Sequence, residues 1–183
     1  LSQAWYPLKG THQALKAAAI LVQLYPDLQI RISGEDLTRF ANLRGLSHYT
    51  TYARFLKRLI QQYDLHENVI FLGALSTQQM VDEYLNCNVF VCPSSIENSP
   101  NSLGEAQILG TPCIASYVGG VPDMMKGNED NLYRFEEVEM LAEKVCRVFS
   151  NGEKQNNMSA IAARRHDPLN NNKQLLSIYK RII

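Results

Sequence analysis

Short apolar runs alternate with helical stripes along this chain, and their order predicts its elements. Leu28, Ile30 and Ile32 alternate as one strand, while Val69 to Leu72, Val89 to Cys92, Cys113 to Ala115 and Leu132 to Phe135 are near-continuous apolar runs. Continuous runs are what strands buried on both faces show. Between them lie helical faces: Ala14, Leu15, Ala18, Leu21, Val22 and Tyr25; Tyr52, Phe55, Leu56, Leu59, Ile60 and Tyr63; Met80, Val81, Tyr84 and Leu85; Val138, Leu141, Ala142, Val145 and Phe149. Their spacing follows i, i+3, i+4, i+7. Strands separated by helices in this order predict a parallel sheet covered on both sides.

The boundaries carry chemical signals. Thr11 is placed to cap the first helix and Pro26 lies beyond its end; Ser76 is placed to cap the helix that carries Tyr84. The stretch from Val89 to Val121 reads as strand, loop, helix, loop, strand, loop. Pro93 ends the strand, Ser99 is a capping hydroxyl and Pro100 suits the first helical position. The helix is expected to reach Leu109, with Gly110 left-handed after it and Pro112 barring continuation.

This places an electropositive helix start beside the carboxyl end of a buried strand, where open α/β sheets bind anionic ligands. Glu97 precedes the helix and Glu105 sits in its second turn, flanking the amides of Asn101, Ser102 and Leu103. Two carboxylates beside an anion site fit a ligand with phosphates for the helix end and hydroxyls for the acids, such as a nucleotide sugar.

Composition narrows the classes. With 183 residues and 45% apolar content, the chain can bury one substantial core. Lys plus Arg (18) equals Asp plus Glu (18), and no basic block stands out, so nucleic acid is not an expected partner. No apolar run approaches a membrane span. Cys87, Cys92, Cys113 and Cys146 form no C-x-x-C pair and read as small buried thiols, which favours a cytoplasmic location.

The run ENSPNSLGEA, followed by GTPCIAS and VGGVPD, resembles the donor-binding segment of the retaining GT-B glycosyltransferases of family 4, the group 1 glycosyl transferases. An E-x7-E pair alone is weak; the Pro-led helix, the G-T-P turn and the G-G-x-P loop in order make it specific. The resemblance extends over the chain but corresponds to the C-terminal half of a GT-B enzyme. It implies a Rossmann-like three-layer αβα domain over residues 1–183 with about six parallel strands. Residues 165–183 would be a tail crossing to an N-terminal domain that binds the acceptor and provides any membrane association. The chain's opening, with no helix or strand of its own, is what a start at a domain boundary would give.

By the same resemblance the function is transfer of a sugar from a UDP-, GDP- or ADP-sugar to an acceptor hydroxyl with retention, without a cofactor or metal, and the isolated domain is inactive. Lys9, ahead of Gly10, would reach the donor diphosphate. Glu97 would contact the donor sugar, Glu105 the ribose, and Asn101, Ser102 and Leu103 would present amides. Gly119 and Gly120 would lie near sugar and phosphates, with Gly73, Ala74 and Leu75 near the base. Many relatives carry an arginine where Gln3 stands, which leaves more of the phosphate recognition to Lys9. No Asp-x-Asp cluster appears that would hold a divalent cation. Two other readings share some of these features: a GT-B nucleotide-sugar epimerase or hydrolase, and a non-catalytic flavodoxin-like module in which the acids are incidental.

Overall fold

The computed structural model describes residues 1, 6–36, 38, 39, 47–151 and 158–182. Gln3 lies outside them. A 3-10 turn at Pro7–Lys9 leads into α1 (Thr11–Leu21), then β1 (Ile30–Ile32), α2 (Ser47–Gln62), β2 (Val69–Phe71), α3 (Thr77–Asn86) and β3 (Phe90–Cys92). There follow α4 (Asn101–Ile108), β4 (Cys113–Ser116), α5 (Val121–Met124), β5 (Leu132–Tyr133), α6 (Val138–Asn151), α7 (Met158–Arg165) and α8 (Pro168–Ile182). Among the described residues the named strands pair in parallel, as the βα alternation requires, and an isolated antiparallel bridge joins Gly34 and Gly73. Beside the expected number of about six parallel strands, the described residues hold five, in two sets, β1-β2 and β3-β4-β5.

Among the described residues, three clusters make the core. Leu15 and Ala18 of α1 pack with Ile32, Leu56 and Leu65; Ala17 and Leu21 of the same helix pack with Ile114, Leu141 and Val145. Helix α1 therefore straddles both strand sets. Leu15, Ile32, Leu56, Leu65 and Ile114 are wholly buried, and each such aliphatic side chain contributes roughly 1.5–3 kcal/mol. Leu103 of α4 joins Phe90, Cys113 and Ala115 in the third cluster, which seats the central helix on β3 and β4. Phe55, expected on the buried face of α2, is instead 40% exposed, with its ring tilted by 53° to that of His12.

Termini follow local chemistry, with two departures. Ser76 caps α3 in a reciprocal box: its hydroxyl accepts from the Gln79 amide at 3.4 Å while the Gln79 side chain accepts from the Ser76 amide at 2.9 Å. Helix α4 stops in a Schellman turn, with Thr111 N bonded to Ala106 O and Gly110 N to Gln107 O, and Gly110 at φ 76°. Thr11 is not a cap. Gly10, at φ 72°, holds that position, because a β-carbon there would lie 1.6 Å from the Pro93 carbonyl oxygen. Ser99 is not a cap either: α4 begins after Pro100, and the Ser99 hydroxyl turns to Met124 Sδ at 3.7 Å. Helix α2 ends where Asp64 adopts φ 51°, a left-handed conformation Asp tolerates better than most residues.

Ser76→Ala removes one half of the capping box and is expected to cost about 1 kcal/mol, a fall of roughly 2–4 °C in melting temperature for a chain of this size, measured by circular dichroism. A pH effect attaches to His12, whose Nδ1 lies 3.1 Å from the Tyr52 hydroxyl. Burial, then the nearby Lys16 charge, lowers the His12 pKa below its ordinary value, so the unfolded chain takes up the proton more readily than the folded one. Stability is therefore complete above about pH 6.5 and declines as pH falls through the lowered native pKa. His12→Gln is expected to flatten the melting temperature against pH in that window.

Candidate functional site

Four segments converge at the carboxyl ends of β3 and β4. The Pro7–Lys9 turn docks on the loop after β3 through Ser95 N to Leu8 O at 2.8 Å, and the close approach of Gly10 to Pro93 fixes its height. This delivers Lys9 to Glu97: Nζ donates to Oε1 at 2.6 Å, and the side chains are 30% and 12% exposed. Ser94, buried, donates to the same oxygen at 2.9 Å. Ser94 is itself held by the Ser116 hydroxyl, which donates to its carbonyl. Glu97 Oε1 thus has two donors.

The glycine loop after β4 supports the same carboxylate from behind. Gly120 N donates to Glu97 O at 3.1 Å. A β-carbon at Gly119, which has φ 49°, would stand 1.8 Å from that carbonyl, and one at Gly120 would stand 1.9 Å from Asn98 O. Only glycine permits this contact without moving the Glu97–Asn98 backbone.

Helix α4 starts beside this cluster. Leu103 N and Gly104 N bond back to the Pro100 carbonyl at 3.1 and 3.3 Å, and no side chain caps the end. The Leu103 amide is thus occupied and its side chain is wholly buried, so Asn101 and Ser102 present the first-turn amides. Such a turn carries positive potential suited to a phosphate. One turn on, Glu105 is exposed and accepts from the Tyr84 hydroxyl at 3.1 Å through Oε2. Burial, then the Glu105 charge, raises the Tyr84 pKa; the phenol stays a proton donor and fixes one carboxylate oxygen.

The rear of α4 is anchored by residues whose role was not visible in the sequence. Buried Gln107 donates to Met124 O at 3.1 Å, and Arg165 donates to Gln107 Oε1 at 3.0 Å and to Met124 O at 2.8 Å. Gly104 leaves room for His166, whose Nε2 would lie 2.6 Å from a β-carbon there. Arg165 and His166, at the head of the expected tail, therefore pack on the domain itself. The periodic signal could not single out Gln107, a polar residue on a buried helix face. Gly73, at φ 72°, and exposed Ala74 lie beyond β2, where the Gly73 carbonyl accepts from Gly34 N at 2.8 Å. They occupy the end of the two-strand set, whereas Lys9, Glu97, Gly119 and Gly120 meet beside β3 and β4. Burial raises the Cys113 thiol pKa and that of Cys92, the latter to about 11, so both are neutral core groups.

The family model for glycosyl transferases group 1 matches residues 3–165, nearly the whole chain. The chain belongs to the group 1 glycosyl transferases. Among curated relatives of this group 1 domain, D-inositol 3-phosphate glycosyltransferase of Corynebacterium urealyticum is 28% identical over 94% of the chain and 40% of the relative. The chain thus spans well under half the length of that protein. Among solved structures, Anabaena HepE in complex with UDP superposes with a TM-score of 0.80 at 22% identity, over 98% of this chain and 47% of that one. The C-terminal domain of a group 1 glycosyl transferase, LpcC of Francisella tularensis, gives 0.71 at 19% identity, over 91% and 83%. The Rossmann-like αβα fold is shared with these GT-B neighbours.

Proposed function

We propose that this group 1 domain is the donor-binding, C-terminal half of a retaining family 4 glycosyltransferase, which moves a sugar from a UDP-, GDP- or ADP-sugar to an acceptor hydroxyl. One observation carries the reading: the Lys9 ammonium, 2.6 Å from Glu97, stands beside the uncapped start of α4. Lys9 and the Asn101 and Ser102 amides receive the diphosphate, Glu97 the donor sugar through its remaining acceptor capacity, and Glu105 the ribose hydroxyls through the oxygen Tyr84 leaves open. Gly73 and Ala74 lie toward the base.

In the reaction the bond from the anomeric carbon to the phosphate oxygen breaks, and its electron pair stays on the diphosphate. A new bond forms to the acceptor oxygen, whose proton passes to the leaving phosphate or to a base outside this domain. Fixed positive groups aimed at the charge that develops stabilise that transition state. Lys9 and the helix start supply this charge from the protein, which supports a metal-independent reaction. UDP and UDP-glucose in the HepE complexes support a nucleotide-sugar donor.

Helix α8 exposes Leu175, Leu176, Ile178, Tyr179 and Ile182, a face suited to packing on an acceptor-binding N-terminal half. Transfer needs both substrates held together, so the 183-residue chain alone is expected to transfer no sugar. Full-length protein given donor and acceptor is expected to yield a product with the donor's own anomeric configuration, read from NMR coupling constants. An inverted product contradicts retention, and epimerised free donor without acceptor contradicts transfer.

A further inference from the structure

Glu97 and Glu105 are held by different kinds of donor. Glu97 gives one oxygen to a cation, Lys9, and to the buried Ser94 hydroxyl, whereas Glu105 is exposed and accepts from a neutral phenol, that of Tyr84, at 3.1 Å through Oε2. An exposed glutamate on a helix moves among many rotamers, and a ligand that fixes it bears the entropy cost of ordering it. Tyr84 is the fixed point against which this one is ordered.

The phenol is fixed because the residue is gripped at both ends. Its backbone carbonyl, near the end of α3, accepts from Thr111 Oγ1 at 2.8 Å and from Cys87 Sγ at 3.5 Å. Between the two ends its ring meets Phe90 of β3 edge-on, with 5.4 Å between centroids, and the residue is only 4% exposed. Thr111 follows Gly110 just beyond α4, so α4 and the turn after it hold the hydroxyl and the carbonyl of one residue of α3.

A neutral donor suits this place. Burial, then the Glu105 charge, raises the Tyr84 pKa, so the phenol donates its proton without cancelling the carboxylate's charge. A charged acceptor takes stronger hydrogen bonds from ligand hydroxyls than a neutral one does.

We propose that Tyr84 is a positioning residue for nucleotide selectivity: by holding Glu105 Oε2 it aims Oε1 at the ribose, and so sets how strongly the domain prefers a ribonucleoside diphosphate to one without ribose hydroxyls. The inference rests on the assignment of Glu105 to the ribose. It adds a residue from another helix, 21 positions away in sequence, that acts through Glu105.

The test is calorimetry of UDP, GDP and ADP against their dideoxy counterparts, which lack both ribose hydroxyls, with folding checked by circular dichroism. Tyr84→Phe keeps the ring and its contact with Phe90 and removes only the donor. It is expected to lower affinity for the best-bound nucleotide about three- to ten-fold, the effect of leaving one long side chain unordered, and to hold the dideoxy counterpart within about two-fold of wild type. General loosening would weaken both alike. Glu105→Ala is expected to remove most of the ribose preference, and adding Tyr84→Phe to it is expected to remove no more, because the phenol then has nothing to aim. Equal losses for nucleotide and dideoxy counterpart, an unchanged preference in Tyr84→Phe, or the same further loss in the Glu105→Ala background overturns the role of Tyr84 alone. A full ribose preference in Glu105→Ala, or binding of none of the three nucleotides, overturns the assignment of Glu105 and this inference with it.

Discussion

Lys9→Ala is expected to lower affinity for a bound nucleoside diphosphate by roughly ten- to 150-fold, because a hydrogen bond to a charged group contributes about 1.5–3 kcal/mol. Affinity for the matching nucleoside should barely change. The contrast follows from placement: Lys9 lies at the loop after β3, against Glu97 at 2.6 Å and beside the start of α4, whereas Gly73 and Ala74 lie beyond β2. Equal losses for nucleoside and diphosphate, measured by calorimetry on a folded variant, would remove the phosphate role from Lys9.

The two glutamates should separate ribose recognition from sugar recognition, and in a direction the structure sharpens. Glu105→Gln keeps size and removes the charged acceptor held by Tyr84, so free UDP, GDP or ADP binding should fall roughly ten- to 150-fold. Glu97 touches no part of a free nucleotide in this reading, but it pairs with the residue that does. Its neutralisation removes a negative charge beside the phosphates and frees Lys9, so free-diphosphate affinity should not fall. Affinity for the intact nucleotide sugar should fall, because the sugar loses its acceptor. If Glu97→Gln weakens free-diphosphate binding as much as Glu105→Gln, with both variants folded by circular dichroism, the division of roles fails.

The strands and the helix that organise the site were legible because their signals are local. Continuous apolar runs marked β2, β3 and β4, and Gly110 with Pro112 marked the end of α4 within one residue. Capping was half legible. Ser76 caps as its spacing with Gln79 suggests, but Thr11 and Ser99 lose that role to tertiary demands: Gly10 must pass the Pro93 carbonyl, and Ser99 turns to Met124. Propensity cannot see a neighbour distant in sequence. The same limit hid the supports of the site. That Ser94 braces Glu97, Tyr84 braces Glu105 and Arg165 braces Gln107 depends on separations of three, 21 and 58 residues, and only the first is local. The short helix α5, read from the sequence as a glycine loop, forms because Pro122 suits a first turn once Gly119 and Gly120 have packed on the Glu97 loop.

The central claim is that Lys9 and the start of α4 bind the diphosphate of a nucleotide donor without a metal. Calorimetric titration of UDP, GDP and ADP into the 183-residue chain, with EDTA present, tests it most directly. The account predicts that at least one of the three binds in EDTA and that Lys9→Ala weakens that binding at least ten-fold. Binding of none of them, or binding that appears only when magnesium or manganese replaces the EDTA, would contradict it.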